Sequence, residues 1–146
     1  MTDDDWHNAK QLVEAYAASL EIDLDYQDFD TELASLASTY DGRGGFWLAF
    51  KGTLPIGCVA VRELDATTAE LKRLYVSPEG RGAGLGRQLT KAALAAAKHA
   101  GYTHLRLDTL GDMLAARALY RELGFKEIEP YYDSPVVGTS YMEIEL

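Results

Sequence analysis

The chain has 146 residues, 47% hydrophobic and 25% charged, with a formal net charge of −9. This size and balance fit one domain, residues 1–146, with a self-sufficient core. The acidic excess argues against a nucleic-acid surface, which needs positive charge, and is read either as solubility or as attraction for a cationic partner such as an amine.

No apolar run approaches the ~20 residues of a membrane helix. Residues 1–6 are acid-rich and lack the basic run of a signal or transit peptide. The expectation is a cytoplasmic protein without a membrane partner. Cys58 is the single cysteine, so an internal disulfide is excluded. Set in the apolar run 56–61, it reads as a small buried hydrophobe rather than a catalytic thiol. His7, His99 and His104 show no metal-ligand spacing with one another or with Cys58, and no metal is expected.

In chain order, residues 5–20 read as a helix, with Leu12, Val13, Tyr16 and Leu20 recurring at helical steps. A second helix is expected over 28–40, capped by Asp28 or Asp30, with Phe29, Leu33 and Leu36 on its stripe. The glycine-rich segment 41–45 is a loop. Strands follow at 46–51, 56–64 and 69–76, joined by short turns as an antiparallel meander that Pro78 ends. An alanine-rich helix spans 85–99 and stops at Gly101. Residues 104–109 form a strand in which Leu105 and Leu107 alternate with Arg106 and Asp108. Residues 113–123 form a helix with Ala116, Leu119, Tyr120 and Leu123 on one stripe, closed by Gly124. Strands at 126–129 and 140–146 complete an α/β (α+β) fold: a mostly antiparallel sheet with one strand-helix-strand unit in its middle.

The turn inside that unit reads Pro78-Glu79-Gly80-Arg81-Gly82-Ala83-Gly84-Leu85-Gly86-Arg87. Its glycines let a ligand approach the main-chain N–H groups. The helix that follows begins with N–H groups lacking intrahelical partners. Together these suit phosphate oxygens, and Arg81 and Arg87 add positive charge. The spacing fits neither the nucleoside-triphosphate loop nor the dinucleotide fingerprint. On glycine spacing alone, an anion site and a plain flexible turn stay open.

Two further motifs join it. Arg81-x-x-Gly84-x-Gly86 resembles the Arg/Gln-x-x-Gly-x-Gly/Ala signature of the GNAT superfamily of N-acetyltransferases. The run Ala116 to Phe125 resembles that family's Ala-x-x-Leu-Tyr-x-x-x-Gly-Phe motif. The strand Glu70-Leu71-Lys72-Arg73-Leu74-Tyr75-Val76 is similar to the family strand preceding the signature. The resemblance covers residues 46–146 well and the first forty more loosely. It implies a central parallel strand pair, 69–76 and 104–109, splayed apart to hold acetyl-CoA as co-substrate, with about four flanking helices. It also implies that the main chain at Leu74, Tyr75 and Val76 meets the pantetheine arm. The N–H groups of Arg81, Gly82, Ala83, Gly84, Leu85, Gly86 and Arg87 would take the pyrophosphate, and a main-chain N–H on the first splayed strand the thioester oxygen.

By the same resemblance Tyr120 is the general acid toward the departing thiolate. An amine acceptor must first lose a proton, and two carboxylates are candidates for that base: Glu70, where some members carry a glutamate, and Asp108. The implied activity is acetyl transfer to a primary amine of a small molecule or peptide. The alternative is a non-catalytic acyl-CoA-binding or sensing domain, which would not need Tyr120 or a base. The acceptor wall is expected from Tyr16, Tyr26, Phe29, Tyr131, Tyr132 and Tyr141 with Glu14, Asp23, Asp25 and Asp133. Two departures stand out. Met113 occupies a position where many members have asparagine. The acidic opening also lacks the short strand that members place before the first helix, so either that edge strand is absent or it lies before residue 1; its loss would expose a sheet edge, and a homodimer through that edge is expected.

Overall fold

The computed structural model describes residues 2–20, 29–110 and 113–146. Helix α1 (Asp3–Ser19) begins two residues before the expected start because Thr2 and Asp5 form a reciprocal cap. Thr2 Oγ1 accepts from the Asp5 N–H at 3.1 Å, and Asp5 Oδ2 accepts from the Thr2 N–H at 3.0 Å. The expected second helix is two short ones, α2 (Phe29–Ala34) and α3 (Leu36–Thr39). Ser35 separates them in a non-helical conformation (φ −142°), and its hydroxyl donates back to the Thr31 carbonyl at 2.8 Å, a local bond that competes with helix continuation. Asp30 lies inside the first turn of α2 rather than capping it; Asp28 lies outside the described residues.

Six strands follow: β1 (Gly45–Lys51), β2 (Leu54–Glu63), β3 (Thr68–Val76), β4 (His104–Thr109), β5 (Lys126–Ile128) and β6 (Ser140–Glu145). Helix α4 (Leu85–His99) connects β3 to β4, and α5 (Leu114–Leu123) connects β4 to β5. A short 3-10 turn, Pro78–Gly80, leads out of β3. The sheet order is β1-β2-β3-β4-β6-β5. Every pairing is antiparallel except β3 with β4. The fold is therefore the expected mixed α/β one, with five α-helices among the described residues instead of about four because Ser35 divides one. Among the described residues no strand precedes α1, and β1 stands at a sheet edge.

Two apolar layers sandwich the sheet. On one face Leu89, Ala93 and Ala97 of α4 and Tyr120 of α5 pack on Val59, Val61, Ala69, Leu71, Leu105, Leu107 and Met142. The small residues of α4 let its axis sit close to the strands. On the other face Ala9, Leu12 and Val13 of α1 pack with Leu36, Tyr40, Phe46, Cys58 and Ala60. Each fully buried Leu or Val side chain stabilises the fold by about 1.5–3 kcal/mol. This second layer covers only the β1–β2 half and part of β3. Over β4 and β6 the same face carries Arg106, Asp108, Tyr141 and Glu143, the alternates of the buried Leu105, Leu107 and Met142 and the partly buried Ile144. That polar surface, roofed by residues 130–132, is where the sheet can do chemistry.

Candidate active site

The parallel pair meets only at its start. Thr68, Ala69 and Glu70 pair with His104, Leu105 and Arg106, and beyond Glu70 the strands separate. The cause lies within β3. Between Lys72 and Tyr75 the register with β2 slips by one residue. Arg73 takes the extra position, in a left-handed conformation (φ 57°) that costs a non-glycine residue roughly 1–2 kcal/mol. Two interactions hold this bulge. The Arg73 guanidinium forms a buried fork with Glu32 of α2, Nε to Oε2 at 2.7 Å and one terminal nitrogen to Oε1 at 2.9 Å. The Cys58 thiol donates to the Arg73 carbonyl at 3.2 Å. Cys58 is fully buried, and burial pushes its thiol up to about 12. It is a packed hydrophobe with one hydrogen bond, as its apolar run suggests.

A cavity of ≈60 Å³ opens in the gap between the separated strands. Its lining includes Lys72, Arg73 and Leu74 of β3, Asp108 of β4, Tyr16 of α1 and Tyr120 of α5. The Tyr120 ring packs edge-on against Phe125, 5.5 Å between centroids. Burial, with the Tyr16 and Asp108 charges behind it, raises the Tyr120 phenol above its usual value, so it stays protonated at neutral pH. Asp108 is half-buried and accepts from the Tyr132 hydroxyl at 2.6 Å. Burial raises its carboxyl; the Tyr132 bond opposes this, and the Glu70 charge adds to it.

Glu70 has a different setting. It is buried, with Oε1 accepting from Arg62 at 2.9 Å and Oε2 from the Tyr131 hydroxyl at 2.7 Å. Both oxygens are engaged, and it does not line the cavity. Tyr131, Tyr132 and Tyr141 form a three-ring edge-to-face cluster with centroids 5.3–5.6 Å apart. The Tyr141 hydroxyl donates to the Tyr132 carbonyl at 2.9 Å. Of the expected acceptor wall, Tyr16 lines the cavity, whereas Tyr131 and Tyr132 bond to Glu70 and Asp108. Phe29 packs on the Arg73 guanidinium, 5.3 Å from its centroid. Glu14 and Asp133 are exposed. Tyr26, Asp23 and Asp25 lie outside the described residues. Met113 lines the cavity, and its sulfur accepts from the Thr109 hydroxyl at 3.7 Å.

Past Val76 lies a second concavity of ≈330 Å³, lined by Val76, Gly80, Arg81, Gly82, Gly84, Leu85, Gly86, Arg87 and Leu119. The first α4 hydrogen bond runs from the Gln88 N–H to the Gly84 carbonyl at 3.2 Å. The N–H groups of Leu85, Gly86 and Arg87 thus precede the intrahelical ladder. Gly82 (φ 86°) and Gly84 (φ 72°) are left-handed, and a Cβ on either would meet no atom within 4 Å. Their glycines serve backbone shape and leave open space beside the free amides, which fits a pyrophosphate. The arginines are less free than their position suggests. Arg81 Nε donates to the Val76 carbonyl at 3.2 Å, and Arg87 pairs with Glu122. Leu74, Tyr75 and Val76 form the last stretch of β3 between the two concavities.

A glycine-rich turn at a helix start, joined by an opened parallel strand pair to a buried phenol, is the arrangement that the resemblance implies. The family model for the acetyltransferase (GNAT) family matches residues 6–125. The chain belongs to the GNAT acetyltransferase family. An uncharacterised N-acetyltransferase of Schizosaccharomyces pombe is 39% identical over 97% of this chain and 89% of its own length. An acetyltransferase from Streptococcus agalactiae superposes with a TM-score of 0.81 at 26% identity, covering 100% of this chain and 95% of that one. A GNAT acetyltransferase from Elizabethkingia anophelis, solved with acetyl-CoA bound, has a TM-score of 0.63 at 25% identity over 77% of this chain and 82% of its own. This GNAT protein is therefore an acyltransferase. Among the described residues no helix is long and apolar enough to cross a membrane, and no group of three or more His, Cys, Asp or Glu side chains is placed to hold a metal.

The sequence missed the Arg73–Glu32 pair. Its signal was present in β3, where the buried-face apolar residues run Ala69, Leu71 and then Leu74, Val76. That change of phase by one residue marks a bulge in a strand of period two.

Proposed function

We propose that this GNAT protein transfers the acetyl group of acetyl-CoA to a primary amine by direct transfer within a ternary complex. The observation that carries the reading is that Asp108 and Tyr120 line one cavity at the mouth of the strand gap. Acetyl-CoA supplies the acetyl group as a thioester; a C–N bond forms, the C–S bond breaks and the thiolate leaves. The amides of Gly82 to Arg87 hold the pyrophosphate, and the open edge of Leu74 to Val76 takes the pantetheine arm as a further strand would. Asp108, whose burial makes it more basic than a surface aspartate, removes the proton that keeps the amine from attacking and passes it to solvent. Tyr120 gives its phenolic proton to the thiolate and regains one from the new amide nitrogen. Glu70, with both oxygens engaged, is the weaker base candidate and instead anchors Tyr131. The exposed Phe50 and Leu54 beside the β1 edge support a homodimer, which light scattering across a concentration series tests.

Calorimetry with acetyl-CoA and with ATP, followed by thiol release across an amine panel, tests the central claim. The expected result is acetyl-CoA binding, no ATP binding and amine-dependent thiol release. Binding without release for any amine would leave a sensing domain.

A further inference from the structure

The strand gap holds a cation that the transfer chemistry above does not use. Lys72 lies on β3 and lines the same cavity as Asp108 and Tyr120. Its side chain is 8% exposed, and its one ion-pair partner among the described residues is Glu70, 3.8 Å away. That separation is too long for a hydrogen bond, and both Glu70 oxygens already accept from Arg62 and Tyr131. Among the described residues the ammonium thus has no acceptor within bonding distance, although its side chain is largely withdrawn from water.

The neighbouring charges sharpen this. Arg73 is matched by Glu32, and Arg62 by Glu70. Lys72 shares Glu70 with the closer Arg62 and has Arg73 beside it in sequence. Burial first, and then the Arg73 charge, lower its pKa. Across the cavity Asp108 bonds to a neutral phenol, Tyr132, and makes no ion pair with Lys72. The cavity therefore presents one anion and one cation on opposite strands, close enough to feel each other's charge but not bonded to each other. A zwitterion is complementary to that pair.

We propose that Lys72 forms a carboxylate-binding subsite beside the reacting amine, so that the acceptor is a free amino acid rather than a simple amine or a peptide N-terminus. The ammonium of the acceptor faces Asp108, its carboxylate faces Lys72, and its side chain points out of the ≈60 Å³ cavity. This inference rests on the acetyltransferase reading above.

The test is thiol release by the full chain with each common amino acid, its carboxamide and its decarboxylated amine, acetyl-CoA being saturating. At least one amino acid is expected to exceed its carboxamide in kcat/KM by about tenfold, the worth of one charge-assisted hydrogen bond. In Lys72→Met that ratio falls to about one, chiefly through KM, and Lys72→Arg restores part of it. Calorimetric affinity for acetyl-CoA reports that each variant is folded. A purely structural role for Lys72 would lower both rates together and keep the ratio, which overturns the subsite. Wild-type turnover of carboxamides or simple amines equal to that of the acids overturns it too, while leaving the acetyltransferase reading intact. Acetyl-CoA binding with no release for any amine removes both.

Discussion

Glu32→Gln tests what keeps the sheet open. The Arg73 and Glu32 side chains are 2% and 6% exposed, joined by bonds of 2.7 and 2.9 Å. Gln keeps the volume and one acceptor but removes the charge, leaving a guanidinium buried in a left-handed bulge. Breaking a buried pair from one side costs about 3–5 kcal/mol. The retained hydrogen bond places this variant near the lower figure. For a chain of this size about 3 kcal/mol lowers Tm by roughly 6–12 °C, out of a total stability of about 5–15 kcal/mol. The acid limb provides a second readout. Burial raises the Glu32 carboxyl, but the Arg73 hydrogen bonds and charge outweigh it and hold the group below its usual 4.5. A depressed folded-state pKa means stabilisation that is complete above the usual value and lost as pH falls through the lower folded one. Wild type should lose this increment below about pH 4.5, and Glu32→Gln should lack that part of the curve. Thermal melts at neutral pH and urea titrations from pH 7 to 3 measure both. A Tm change under about 2 °C together with an unchanged acid limb would refute the reasoning.

Other expectations concern the site. Asp108→Asn should lower kcat/KM at neutral pH by about 10²–10⁴-fold with unchanged calorimetric affinity for acetyl-CoA. Its pH–rate profile should lack the wild-type fall toward acid, the side on which a carboxylate with a raised pKa becomes protonated. Tyr120→Phe should lower kcat by roughly 10²-fold with almost no change in Tm, since the hydroxyl makes no hydrogen bond among the described residues; unchanged turnover would remove the phenol from the mechanism. Gly84→Ala meets no steric block but occupies a left-handed position in the glycine-rich turn proposed to hold the pyrophosphate. It should cost about 1 kcal/mol of stability and weaken acetyl-CoA binding about tenfold, and calorimetry showing wild-type affinity would move the pyrophosphate elsewhere.

Much of this arrangement is legible in the amino-acid sequence. Helix α4 and strand β4 fall where alanine content, Gly101 and the Leu105/Leu107 alternation put them, because local propensity and burial agree there. The split at Ser35 was not legible, since a serine inside an apolar stripe is neutral until its hydroxyl bonds backward. The different settings of Glu70 and Asp108 are hidden for another reason. Both alternate outward from apolar strands, and their different surroundings come from Arg62, Tyr131 and Tyr132, far away in the sequence. Nothing in the sequence singles out Lys72, because Arg62 and Tyr131, the residues that occupy Glu70, come together with it only in three dimensions.

The three pairings from Thr68/His104 to Glu70/Arg106 also make the sheet a jointed object. Strands β1–β2–β3 form one plate and β4–β6–β5 the other, fastened at one end like the blades of shears. Small rotations about that fastening barely move Glu70 and shift Val76 and Thr109 most. The Tyr131–Glu70 bond spans the two plates beside the pivot, where it resists opening with the least leverage. The β4 amides that face the gap beyond Arg106 should therefore exchange faster than those bonded to β6, which stays paired through Thr109, and a molecule wedged between the blades would slow them.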